Sequence, residues 1–162
     1  MIKAIVYKSS TGHTLEYVKM LSEKLNIPYY TIKEANKQIG RNESIIYLGW
    51  ICAGRICGVS KAKKRYNIKC CGGVGIYPES EEYKKSLSDA NNLKSELFYL
   101  QGGINYNKLK GFKRKVIQIV GKALMKENQP ENQELIKAFK EGKSFVSEKN
   151  IEKMLQYIKE EK

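Results

Sequence analysis

Residues 2–17 read IKAIVYKSSTGHTLEY, and the chemistry changes twice within that stretch. Residues 2–7 are apolar and β-branched, the composition of a strand buried on both faces. From Thr14 onward Leu15, Val18, Leu21 and Leu25 recur at spacings of three and four with no Gly or Pro between them, which predicts a helix that Pro28 stops. Between strand and helix stand Ser9, Ser10, Thr11 and Thr14, crowded around Gly12. A helix cap needs one hydroxyl, and this loop offers four. The first N–H groups of the helix point back at such a loop, where the helix dipole favours an anion. The expectation is a phosphate cradle of neutral donors, with no lysine in it. His13, the single histidine of the chain, sits beside it and either faces water or adds a partial positive charge.

The rest of the chain repeats the alternation. Strands are predicted at residues 29–32, 44–49, within 68–77 and at 97–100, with helices over 33–39, 59–66, 79–92 and 106–126. A further helix begins at Pro130 and ends at Gly142, and Ile151, Met154, Leu155 and Ile158 mark the last. Strands alternating with helices predict an α/β protein with a five-stranded, doubly wound parallel sheet covered on both faces. No repeat, low-complexity tract or Gly/Ser linker interrupts residues 1–162, so one domain is expected. In the 106–126 helix Leu109, Phe112, Val116, Val120 and Leu124 fall on one face, which is expected to pack on the sheet.

Net charge is the unusual bulk property: 30 basic against 17 acidic residues, or +13. No acidic residue occurs between Glu43 and Glu79, where Arg55, Lys61, Lys63, Lys64, Arg65 and Lys69 lie. None occurs between Glu96 and Glu127 either, where Lys108, Lys110, Lys113, Arg114, Lys115, Lys122 and Lys126 lie. Such a field suits acidic proteins, anionic lipids, nucleic acid or a polyanionic ligand, or is simply a solvated surface. The basic runs lack zinc-finger spacing and an RNP-type aromatic motif, which speaks against a nucleic-acid-binding module. Cys70 and Cys71 are adjacent in a strand and so point to opposite faces, a poor start for a tetrahedral metal site. With Cys52 and Cys57 they are expected to be buried, reduced thiols, and no metal is assigned. The N-terminus resembles a strand rather than a signal peptide, and no apolar run is long enough for a membrane span, so a cytoplasmic protein is expected.

The first loop is neither G-x-x-x-x-G-K-S/T nor G-x-G-x-x-G, which leaves nucleoside triphosphatases and Rossmann dehydrogenases without support. Ser9-Ser10-Thr11-Gly12-His13-Thr14, directly after the first strand, instead resembles the FMN-phosphate loop of flavodoxins. The stretch GWICAGRICG (residues 49–58) resembles the loop that borders the flavin ring in that family. The likeness implies flavin contact from Trp50, Ile51, Cys52, Ala53, Gly54 and Arg55, with a peptide at Gly54 free to flip. Trp50 is the expected stacking group there, with a buried strand-end residue as the alternative. The stretch GVGIYPES (residues 73–80) resembles the loop covering the other side of the flavin, which implies contact from Gly75, Ile76 and Tyr77, Tyr77 being the candidate ring. Residues 99–126, with Gly102, Gly103 and Tyr106, are similar to the corresponding stretch of menaquinone-dependent protoporphyrinogen oxidases.

The resemblance implies a flavodoxin-like FMN protein with two readings. One is an electron carrier between partner proteins; the other is an FMN oxidoreductase acting on a quinone or porphyrinogen, its basic helix drawing in carboxylates or an anionic membrane surface. Carrier flavodoxins are typically acidic, so the basic charge leans towards the second. In either, the flavin carries the chemistry, and no side chain is assigned as catalytic.

Overall fold

A computed structural model of the chain describes residues 1–127 and 129–160. Five parallel strands form its centre: β1 (Ala4–Lys8), β2 (Tyr29–Thr31), β3 (Ser44–Cys52), β5 (Asn67–Gly75) and β6 (Glu96–Gln101), in the order β2-β1-β3-β5-β6. The short β4 (Arg55–Ile56) folds back antiparallel on the end of β3. Because successive strand residues face opposite ways, the apolar runs feed two cores. Ala4, Val6, Ile45, Tyr47 and Cys71 pack on one face with Ala35, Val59, Ala62 and Leu87. These come from α2 (Ile32–Gln38), α3 (Val59–Lys63) and α4 (Glu81–Ala90). Ile5, Ile46, Leu48 and Cys70 pack on the other face with Tyr17, Val18 and Leu21 of α1 (His13–Leu25) and Met154 and Ile158 of α7 (Glu152–Glu160). The neighbours Cys70 and Cys71 do fall on opposite sides of the sheet, as their alternation predicts.

A third apolar cluster stands apart from the sheet. It joins α5 (Gly111–Glu127) to α6 (Gln133–Glu141) through Leu124, Leu135, Ile136 and Phe139, with Ile104 and Leu109 beneath. The expectation that the basic helix packs on the sheet is therefore wrong: its apolar face meets α6. Its first turns carry apolar residues that meet little at all, with Phe112 79% and Ile119 67% exposed. The helix also starts five residues later than expected, at Gly111, whose φ of 55° sets it off from the turn before it. The chain leaves the sheet after β6 and returns beside its point of departure. Ile104 N donates to Lys143 O (2.9 Å), Phe145 N donates to Gly102 O (2.7 Å), and Gly103 and Ser144 form an antiparallel bridge.

Three basic residues of the first acid-free stretch are structural. Arg55 donates to Ala90 O and Lys63 to Asn91 O and Asn92 O, at the carboxyl end of α4. Arg65 Nη2 donates to Asn36 O (2.8 Å) in the last turn of α2. Helix carboxyl ends present unpaired carbonyls and partial negative charge, which is what these side chains meet. No helix among the described residues is long and apolar enough to cross a membrane.

Candidate functional site

At the carboxyl ends of β1, β3, β5 and β6 lies a cleft of about 250 Å³, just below the usual range for ligand pockets. This is where doubly wound sheets place their ligands. Four segments build it. The first is the hydroxyl loop, contributing Ser10, Thr11, His13 and Thr14. Helix α1 begins at His13, one residue earlier than expected, and Gly12 takes the position before it with φ 110°, a left-handed value that favours glycine. No side chain caps the helix, so the hydroxyls are not serving as caps. Ser9 Oγ is buried and has no hydrogen-bond partner. A buried hydroxyl without a partner is uncommon in folded proteins.

The second segment is the end of β3, which runs three residues further than sequence pattern indicated. Trp50, Ile51, Cys52 and Ala53 line the cleft; the first three form one arm of a hairpin rather than a loop, and Ala53 begins its turn. Cys57 N donates to Trp50 O (2.9 Å), Ile51 pairs with Ile56, and the turn is made by Ala53 (φ 46°) and Gly54 (φ 70°). Positive φ at both central residues is the signature of a two-residue hairpin turn. Gly54 and Arg55 are not on the cleft wall: Arg55 reaches α4, and Gly54 O accepts from Asn91 Nδ2 (3.2 Å). Asn91 is 4% exposed and also accepts from Ile56 N (3.0 Å) and donates to Leu87 O (2.7 Å), so with Arg55 it ties the hairpin to α4. An asparagine at the end of a helix, here the first of the pair Asn91-Asn92, carries no sequence signal for that task.

The third segment follows β5. Gly75, Ile76 and Tyr77 line the cleft, Tyr77 with 42% of its surface exposed. Tyr77 O is held by Tyr99 Oη (2.7 Å) and Ile76 O by Gln101 Nε2 (3.1 Å). The fourth segment, absent from the expected contact set, runs on from the end of β6: residues 102–105, then a wall of Leu109, Phe112, Lys113 and Val116, which Phe139 of α6 backs. Leu109, Phe112 and Val116 were visible as part of a helical stripe; that they face a cleft depends on the helix leaving the sheet.

Two expectations about the first loop change. His13 does not face water: it is 6% exposed, and Nδ1 shares a hydrogen bond with Thr11 Oγ1 (3.2 Å). Burial holds its imidazole below the usual value, Glu16 acts the other way, and Lys108 adds to the lowering. Nor is the loop without lysine. Lys113 Nζ donates to Ser10 Oγ (2.8 Å) and lies 4.7 Å from the centre of the Trp50 ring. Lys108 Nζ is so near Gly12 that a methyl group there would come within 3.1 Å of it. These amines come from a segment about a hundred residues away, beyond the reach of local pattern. Among the thiols, Cys52 is exposed and Cys57 half-buried, against the expectation of four buried cysteines, and all four are free. No family model, curated protein or solved structure matches the chain.

Proposed function

We propose that this chain is a flavodoxin-like FMN-binding protein that works in electron transfer or flavin-dependent oxidoreduction. The observation that carries the reading is the cleft beyond the strand ends, which the hydroxyl loop, Trp50 and Tyr77 line together. The strand order β2-β1-β3-β5-β6 supports it, being the flavodoxin-like order once the small hairpin strand β4 is set aside. The orphaned Ser9 hydroxyl and the uncapped start of α1 fit a bound phosphate. Ser9, Ser10, Thr11, Gly12, His13 and Thr14 would hold the phosphate, and Trp50 and Tyr77 would flank the ring. Ile51, Cys52, Ala53, Gly75 and Ile76 would meet its edges. Bound FMN would supply the electron-accepting and electron-donating chemistry, while the protein sets access to it.

A second reading, an oxidoreductase acting on a small apolar substrate such as a quinone or a porphyrinogen, is favoured by one feature. Phe112 and Val116 both line the cleft and remain open to solvent, so the fourth wall offers apolar surface at the cleft mouth. The same surface, beside Lys115 and Lys122, suits peripheral contact with an anionic membrane.

Titration of the purified protein with FMN tests the reading. Quenching of flavin fluorescence with a saturable midpoint is expected; a protein that gains no yellow absorbance overturns it. Thr14 is 2% exposed and a poor place to insert a charge, whereas Thr11 is only half-buried. Thr11→Glu should therefore abolish FMN binding while leaving the circular dichroism spectrum unchanged. For the second reading, FMN-loaded protein is given protoporphyrinogen and a quinone, and turnover is expected; carrier behaviour alone removes it.

A further inference from the structure

We infer that Lys108 and Lys113 complete the hydroxyl loop as an anion site, so that two ammonium groups and the loop together hold a phosphomonoester. The inference rests on the flavin reading only for which phosphomonoester that is. Lys113 Nζ is 2.8 Å from Ser10 Oγ, and Lys108 Nζ stands against Gly12 on the other side of Thr11. A lysine has three donors, and Ser10 takes one of those on Lys113. Among the described residues the carboxylate nearest Gly12 is Glu16, whose Oε1 would be 4.0 Å from a methyl group there, and no acidic residue lines the cleft. Two ammonium groups against one carboxylate leave the loop net positive, and the amino end of α1 adds its dipole in the same sense. Like charges gathered at one loop repel each other, and an anion between them reverses the sign of that interaction.

The bland alternative is that Lys113 merely pins α5 to the body. One bond from an exposed amine to a neutral hydroxyl is a weak pin, and it gives no account of Lys108. The two-lysine site also differs from a neutral cradle in a measurable way: its affinity falls as salt screens the ammonium groups.

The test titrates the ¹⁵N-labelled full chain with inorganic phosphate, reading the amides of Gly12, His13 and Thr14. Saturable shifts are expected, weakened about 10- to 100-fold in Lys113→Met and further in Lys108→Met/Lys113→Met. Lys61→Met removes the same charge from exposed surface on α3 and should bind within about two-fold of the parent. Amides that do not move with phosphate, or a double variant that binds as the parent does, overturn the inference. FMN that binds parent and double variant equally also overturns it and leaves the flavin reading standing. Phosphate binding that needs both lysines, in a protein that takes up no FMN, supports the lysine site and removes the flavin reading.

Discussion

Gly121 of α5 lies against the ring of Phe139 of α6, so close that a methyl group in its place would come to 2.9 Å of ring Cδ1. The two helices meet there without the sheet beneath them, and the contact holds the fourth wall of the cleft. Gly121→Leu should therefore loosen α5 from α6 at a cost of about 1–3 kcal/mol. Hydrogen exchange checks it: amides of α5 and α6 should exchange faster, while those of β1, β3 and β5 keep their protection. Uniform acceleration across the sheet would contradict the separateness of this lobe.

Asn91 satisfies three backbone groups from three places: Ile56 N, Gly54 O and Leu87 O. Asn91→Leu leaves buried polar groups unmatched, at about 1–3 kcal/mol for the loss of such a partner. Urea denaturation should show the midpoint fall with its slope unchanged. The β3–β4 hairpin should also become accessible to protease at Ala53–Gly54 before the global transition, since Asn91 holds the Gly54 carbonyl in that turn.

His13 gives stability a pH dependence of known sign. Burial keeps the folded imidazole below its usual 6.5, Glu16 opposes the shift and Lys108 adds to it. As pH falls through 6.5 the unfolded chain takes up a proton that the folded chain still refuses. Stability contributed by neutral His13 is thus complete above 6.5, declines below it, and stops declining once pH passes the folded value. In His13→Gln the loss of unfolding free energy between about pH 7.5 and about pH 5 should be smaller than in the parent. An equal loss in both proteins would mean the imidazole titrates alike folded and unfolded.

The four thiols should separate by reactivity. Burial pushes Cys70 up to about 12 and Cys71 higher still, and raises the half-buried Cys57 as well; only Cys52 is exposed. Iodoacetamide under native conditions should label Cys52 first, and Cys70 and Cys71 only in denaturant. Mass spectrometry of timed digests reads this directly. Because Cys52 lines the cleft, saturating FMN should slow its labelling.

The parallel sheet was legible because each strand sits within an apolar run flanked by helical periodicity, and residues 2–17 alone displayed the whole unit. The hydroxyl loop was legible for the same reason: strand, donors and helix are contiguous. What pattern missed is non-local. The end of β3 reads as a loop because its pairing partner is a two-residue strand, Arg55–Ile56, too short to have a period. Arg55 reads as a site residue until its partner, the carboxyl end of α4, is seen. Lys113 reads as one of many surface lysines, and only the departure of α5 from the sheet brings it to Ser10. Phe112 and Leu124 read as one continuous stripe, yet one faces a cleft mouth and the other a helix.

The bridge between Gly103 and Ser144 means that the ends of the α5–α6 excursion are already neighbours, joined by the bond from Phe145 N to Gly102 O. The lobe is thereby topologically independent: a short turn could replace residues 104–142 without asking any strand to change partner. The sheet, the hydroxyl loop and the Trp50 hairpin would remain, while the amines of Lys108 and Lys113 and the Phe112 wall would go together. The chain thus divides into a receptacle and a removable cover, and the features that make its cleft unlike a bare one all travel on the removable piece.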